Sequence, residues 1–229
     1  MGQRGNRGGA ADLAAGADLI LALDTCGPFP VVAAVDRNGT VRFADSGQRQ
    51  RAHAEDLAPL LRAALACGDP DLVATGRGPG AFTGLRVGLV AAQTLAWARE
   101  IPAVGVGSLD VVAQQSGLAD GWAILDARRG EVFLAHYAAG QRTAEPQVLP
   151  RDTARELVGS EPVCGDQALL TDPDRRARGA TALDASALAA VAVATAERVA
   201  SGDQPDSLTP LYLRAPDVTW SAANKGAGS

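Results

Sequence analysis

Gly76–Arg99, GRGPGAFTGLRVGLVAAQTLAWAR, decides how the rest of the chain is read. It follows a short apolar run, Asp71–Thr75, that reads as a strand. Three glycines then stand at alternate positions, Gly76, Gly78 and Gly80, with Pro79 between the last two. Glycine lets a backbone turn sharply or pass close to another surface, and proline stiffens the turn. Thr83 is the expected N-cap of a helix over Thr83–Ala98, which Ile101-Pro102 ends. One face of that helix carries Gly84, Gly88, Ala92 and Ala96, small residues at every fourth position, and the neighbouring face carries Leu85, Leu89 and Trp97. Each helical glycine costs about 0.8–1 kcal/mol relative to alanine. Such a strip makes sense where another element approaches closely, as in packing on small residues four apart. Strand, glycine turn and helix together form a β-loop-α unit, and the fold is α/β.

Composition sets outer bounds. A chain of 229 residues suits one large domain or two small ones. Its 47% hydrophobic and 21% charged residues describe a globular protein, and a formal net charge of −5 gives no global nucleic-acid footprint. Lysine occurs once, at Lys225 in the tail, so a P-loop lysine or a Schiff-base lysine in the body is excluded. Cys26, Cys67 and Cys164 are far apart and odd in number, without disulfide framework or zinc spacing, which fits a reducing, cytoplasmic setting. The Gly- and Arg-rich residues 1–17 lack the apolar core of a signal peptide and read as a disordered extension, and 217–229 as a flexible tail. The helical run above is too short, and broken by Arg86, to cross a membrane.

Leu19–Asp24, LILALD, is a continuous apolar run of the kind that a strand buried on both faces requires. Val31–Val35 and Thr40–Ala44, joined by turn chemistry at Asp36–Gly39, extend it into an antiparallel meander. Ala52–Ala66 reads as an amphipathic helix with Leu57, Leu60, Leu61 and Leu65 on one side. Ala103–Val106 is a further strand, and Ser108 is the expected cap of a helix over Leu109–Gln115. The pattern then restarts: Trp122–Asp126, a turn at Ala127–Gly130, and a hairpin partner over Glu131–Tyr137. This echo predicts two copies of one unit, divided as 18–116 and 117–216. The second copy continues with a helix near Asp152–Val158, a strand at Pro162–Cys164 and an alanine-rich helix over Ala185–Ala200, and Pro210–Arg214 closes the ordered chain.

The chemistry-bearing residues are few. Gly76–Gly84 feeds a helix N-terminus and could cradle phosphate, with Asp24, Gly78 and Gly80 as weak cofactor-binding candidates. It matches neither standard fingerprint, because Walker A lacks its lysine and the dinucleotide spacing is one residue out. Asp24 and Asp126 end strands, where metal–phosphate carboxylates often stand, although aspartate is also a common turn residue. His53 opens a helix, but Arg49 and Leu57 occupy the positions four away, and His136 is the one other histidine. No two-histidine metal motif can be built locally, and no catalytic residue or metal ligand is assigned. Arg128 and Arg129 sit on a hairpin turn that could meet a phosphate or simply be solvated.

In order along the chain, LILALDT, His53, GRGPGAFTGLRVG, IPAVGVGSLD, LDARRGEVF and PLYLR resemble the TsaB family of bacterial tRNA threonylcarbamoyladenosine biosynthesis proteins. The resemblance runs from about Asp18 to Pro216, and GPGAFTGLRVG is its most specific piece. It implies two actin-like (ASKHA, RNase H-like) lobes with mixed β-sheets flanked by helices. It further implies a non-catalytic subunit pairing with the related catalytic subunit TsaD, with TsaE, an ATPase, joining them. That complex makes N6-threonylcarbamoyladenosine at position 37 of ANN-decoding tRNAs, so tRNA and ATP enter only at its level.

TsaD-type relatives carry a His-x-x-x-His metal pair where this chain has Ser108 and Val112, and valine cannot ligate a metal. The expected partner surface joins the helix beginning at His53 and the glycine helix, through His53, Leu57, Gly84, Leu85, Gly88, Leu89 and Ala92. A homodimer is possible when the partner is absent. The alternative is a stand-alone ATP-binding phosphotransferase of the same superfold, with Asp24 and Asp126 around magnesium. The missing lysine and the lack of a second glycine-rich loop after Val163 argue against it.

Overall fold

The computed structural model describes residues 18–50, 52–171, 181–204 and 206–214. The expected extension 1–17 and tail 217–229 lie outside the described residues. Among the described residues, ten strands and six helices follow one another as β1 Leu19–Asp24, β2 Val31–Asp36, β3 Val41–Ser46, α1 His53–Leu65, β4 Leu72–Gly76, α2 Phe82–Arg99, β5 Ala103–Val106 and α3 Ser108–Gln115 in the first half. The second half contains β6 Gly121–Arg128, β7 Glu131–Ala138, β8 Gln141–Arg142, β9 Gln147–Pro150, α4 Arg151–Val158, β10 Val163–Gly165, α5 Ala168–Thr171 and α6 Ala185–Ala200.

The echo in the sequence is an echo in topology. The first sheet runs β3-β2-β1-β4-β5, with β1 antiparallel to β2 and parallel to β4. The second runs β10-β6-β7-β8, with β9 also on β7, and β6 is antiparallel to β7 and parallel to β10. Each half is thus a meander whose first strand gains a parallel neighbour after a helix. This is the mixed α/β, actin-like arrangement.

Side-chain alternation along the central strands sorts the core into layers. Leu21 and Leu23 of β1 pack with Leu57 and Leu60 of α1 and Ala92 and Ala96 of α2. Ile20 and Ala22, on the other face, join Leu109 and Val112 of α3 and Leu188 and Ala192 of α6. Ala123 and Leu125 of β6 enter this same cluster from the opposite side. Trp122 and Ile124 face outward onto Ala154 and Val158 of α4 and Leu169 and Leu170 of α5. Strands buried on both faces explain the unbroken apolar runs.

The middle layer is where the halves are exchanged. Helix α3, from the first half, packs on β6, β7 and β10, whereas α6, from the second, lies on β1, β2, β3 and β5. The division at 116/117 separates the sheets along the chain but does not separate two cores. Alanine suits α6 because a helix between a sheet and another helix must approach both closely, and Ala185, Ala189, Ala192 and Ala196 are buried along it. Asp184 caps α6, accepting a hydrogen bond from the Ala187 amide at 2.8 Å.

Several boundaries differ from expectation for local reasons. Helix α2 begins at Phe82 with Ala81 as an uncapped N-cap, so Thr83 is inside the first turn. Gly107 stands at the N-cap of α3, and Ser108 turns its hydroxyl to Asp24 instead. The short elements β8, β9 and α5, of two to four residues, carry too little periodicity to be seen in sequence. Pro210–Arg214 forms no regular element but is bound down: the Leu211 amide donates to the Arg77 carbonyl at 2.8 Å, and Leu213 packs on the central cluster.

Because one cluster joins both sheets, Leu188→Ala, at a fully buried position of α6, should cost about 2–5 kcal/mol. Denaturant unfolding followed by far-ultraviolet dichroism and by tryptophan fluorescence should show one coincident transition in the parent chain. Two separated transitions would mean that the lobes unfold independently.

Candidate functional site: a sealed strand-end turn and an apolar groove

The turn after β1 is where the fold positions its candidate cofactor residues, and here internal packing fills it. Asp24 is fully buried; its Oδ1 accepts from the Cys26 amide at 2.6 Å and its Oδ2 from the Ser108 hydroxyl at 2.7 Å. Gly76 lies directly over this carboxyl, so that any Cβ there would collide with Asp24 Oδ2. Burial pushes the Asp24 pKa up; the amide of Cys26 and the hydroxyl of Ser108 offset this only in part. Burial, then the neighbouring Asp24, pushes the Cys26 thiol well above its ordinary range, which leaves it a packing group.

Thr25 is the next residue and reaches the other way, into α2. Its hydroxyl donates to the Gly84 carbonyl at 2.6 Å and accepts from the Gly88 amide at 2.9 Å. These are the two groups that bond to each other in an ideal helix, so Thr25 Oγ1 bridges a rung of the ladder. A Cβ at Gly84 would strike the Thr25 carbonyl oxygen, and one at Gly88 the Thr25 hydroxyl. Cys26 then packs with Leu85 and Leu89, and a Cβ at Gly80 would stand 2.5 Å from Cys26 Cβ. Gly78, at φ +102°, makes the turn itself, with Leu85 Cδ1 2.7 Å from where its Cβ would be.

These contacts correct the expected place of the partner surface on α2. The strip Gly84, Leu85, Gly88, Leu89 and Ala92 faces the lobe interior, with Leu85 and Ala92 at 0% and Leu89 at 3% exposure, so it presents no surface to a partner. The glycines of the turn make room for side chains of this chain, not for a phosphate, and Asp24 offers no oxygen to solvent. Asp126 is on the other sheet, balanced by Arg128 at 3.6 Å and Arg151 at 3.8 Å. Arg128, the last residue of β6, and Arg129, in the turn that follows, occupy left-handed positions at φ +68° and +53°. Ser108 and Val112 are both fully buried, and no cluster of three or more His, Cys, Asp or Glu among the described residues could hold a metal ion.

His53, half-buried, lies beside Gly84, and its pKa is lowered by burial against the opposing pull of Asp24 and Asp56. The helix it opens forms one wall of a groove whose other wall is α2. The groove, about 610 Å³, is floored by Leu57 and lined by Leu61, Phe82, Val87 and Val90, with Arg86 as the one charged lining residue among those described. Phe82 is 37% exposed, Val90 60% and Trp97 84%, so the outer side of α2 carries large apolar side chains among its polar ones, Arg86, Gln93 and Thr94. That is the signal that sequence reading missed. Large apolar side chains beyond the buried face want cover of their own, and the run FTGLRVGLVAAQTLAW has them at 82, 90 and 97.

Doubled mixed sheets with exchanged helices define a two-lobed α/β protein of actin-like topology. A family model described as TsaD, tRNA N6-adenosine threonylcarbamoyltransferase, matches residues 47–156. An uncharacterised protein of Mycobacterium tuberculosis is 36% identical over 217 residues, covering 87% of this chain and 93% of the relative. The tRNA threonylcarbamoyladenosine biosynthesis protein TsaB of Escherichia coli is 38% identical over 127 residues, 52% of this chain and 54% of that protein. The solved structure of YeaZ from Pseudomonas aeruginosa superposes with a TM-score of 0.67 at 27% identity, over 86% of this chain and all of that one. The named likenesses are thus to TsaB-type proteins, over about half the length of the Escherichia coli protein and along most of this chain for YeaZ.

Two outcomes test this geometry. Gly88→Leu should overpack the Thr25 contact and cost about 1–3 kcal/mol or more, read as a lowered melting temperature of the isolated chain; an unchanged melt would return the strip to the surface. The raised pKa of Asp24 means that the folded chain keeps its proton to higher pH than the unfolded chain does. Its contribution is therefore most favourable below the unfolded carboxylate value, about 3.9, and is lost as pH rises through the folded value. Stability measured against pH should show that loss in the parent chain and lack it in Asp24→Asn.

Proposed function

We propose that this chain is a non-catalytic scaffold and activating subunit for making N6-threonylcarbamoyladenosine at position 37 of ANN-decoding tRNAs. It pairs with a TsaD-like catalytic subunit by laying the groove between α1 and α2 against that partner. A TsaE-like ATPase, tRNA and ATP join at the level of the complex, and the isolated chain holds no cofactor of its own.

The observation that carries this reading is the outer face of α2. Large aromatic side chains bring about 150–250 Å² each to a contact. Leaving Phe82 and Trp97 in water on one helix makes sense if a second protein covers them. The groove beside them is apolar and open, the shape that receives a helix. The same surface would be covered by a second copy when the partner is absent. The sealed turn around Asp24 supports a role without nucleotide chemistry in this chain and speaks against the phosphotransferase alternative. Ser108 and Val112, fully buried at the positions of the relatives' metal pair, support the same conclusion. No helix among the described residues is long and apolar enough to cross a membrane.

Val90→Glu places a charge on the groove at a position that is 60% exposed in the chain alone. The variant should melt as the parent does, fail to co-purify with the TsaD-like subunit, and fail to restore N6-threonylcarbamoyladenosine in cells lacking the parent gene. Normal pairing by Val90→Glu would move the interface off this groove. Modified tRNA formed by the isolated chain would overturn the non-catalytic reading.

A further inference from the structure

Among the described residues, Arg86 is the one charged side chain lining a groove that is apolar apart from Thr83, and two aromatic rings hold it. Its guanidinium carbon lies 3.8 Å from the centroid of Phe82, one turn earlier on α2, and 5.8 Å from that of Tyr212. Its Nε donates to the Tyr212 hydroxyl at 2.8 Å. Phe82 and Tyr212 are themselves stacked, with centroids 5.0 Å apart. Tyr212 stays there because the strap carrying it is fixed on both sides. The Leu211 amide is bonded to the Arg77 carbonyl at 2.8 Å, and Arg214 Nη1 donates to the Ala127 carbonyl at 3.1 Å.

The strap thus takes up one nitrogen of Arg86 and turns the side chain against an aromatic face. A free arginine at a surface samples many rotamers, and fixing it on binding costs free energy. One already stacked and hydrogen-bonded through Nε is pre-organised to give its remaining donors to a planar anion. The apolar walls around it strengthen such a contact by excluding water once a partner is seated.

We infer that Arg86, positioned by Tyr212 and Phe82, is a carboxylate clamp in the α2 wall of the groove, and that the partner helix seated there is apolar along its length with one aspartate or glutamate opposite Arg86. This rests on the proposed pairing with the TsaD-like subunit and specifies its chemistry. Charge complementarity chooses the occupant: a lone cation in an apolar groove is costly to cover unless an anion meets it. Tyr212 acts through Arg86 and is a positioning residue.

Calorimetric titration of the cognate TsaD-like subunit into the full chain tests it, with Arg86→Met, Tyr212→Phe and the double variant compared with the parent. Arg86→Met should weaken binding about ten-fold or more, in line with the loss of a charge-assisted contact. Tyr212→Phe keeps the ring and removes the hydroxyl, and should weaken binding a few-fold. The Tyr212→Phe loss should vanish when Arg86 is already methionine, because the hydroxyl acts through that side chain. Affinity of the parent should also fall more steeply with salt than that of Arg86→Met. Arg86→Met binding within two-fold of the parent, or a Tyr212→Phe loss undiminished in the double variant, overturns the clamp while leaving the pairing intact. Absence of binding by the parent overturns the pairing, and the clamp with it.

Discussion

The bridge that Thr25 makes between the Gly84 carbonyl and the Gly88 amide is the constraint on which the first lobe depends. A threonine hydroxyl can both donate and accept, so it can stand within a helical ladder without leaving either group unpaired. To do so it must come within bonding distance of the helix backbone, and only residues without a Cβ permit that approach at 84 and 88. The glycines cost α2 helix propensity, of order 1 kcal/mol each, and the buried hydrogen bonds and the packing of Leu85 and Leu89 on Cys26 offset it. The turn after β1 is thereby clamped: Thr25 into α2, Asp24 beneath Gly76 and Ser108, Cys26 against Gly80.

That clamping decides the chemistry of the turn. A carboxylate that is to hold a metal or face a phosphate must keep ionised oxygens at a surface. Asp24 instead spends one oxygen on an amide and one on a hydroxyl, in a fully buried place that favours its proton. Ser108 is the other half of this arrangement. It opens α3, the helix the first half lends to the second sheet, so its bond to Asp24 also ties the exchanged layer to β1. The bond that seals the turn is therefore one of those joining the lobes.

Much of the architecture was legible because burial on both faces writes itself as continuous apolar sequence. LILALD and the alanine-rich run over Ala185–Ala200 could be placed without ambiguity, and the restart at Trp122 reported the repeat. The site was less legible. A glycine reads the same whether it makes room for a phosphate, for another protein or for a side chain of its own fold. Here the atoms that fill the space come from Thr25, 59 and 63 residues away from the positions they meet. The small-residue strip rightly signalled close approach and could not say by what. Arg86 and Tyr212, separated by 126 residues, have no sequence relation at all until the strap brings them together.

The inward and outward faces of α2 are consequences of each other. Because Gly84, Gly88 and Ala92 let the helix sink onto the turn, its large residues project elsewhere: Leu85 and Leu89 inward, and Phe82, Val90 and Trp97 outward. Val87 and Ala91 of α2 then line the groove together with Ala54 and Ala58 of α1. The small residues that seal the strand-end turn are thus what shape the surface on the opposite side of the same helix. A single element thus closes the strand-end turn on one side and carries large apolar side chains on the other, where the strap through Tyr212 holds the charge of Arg86.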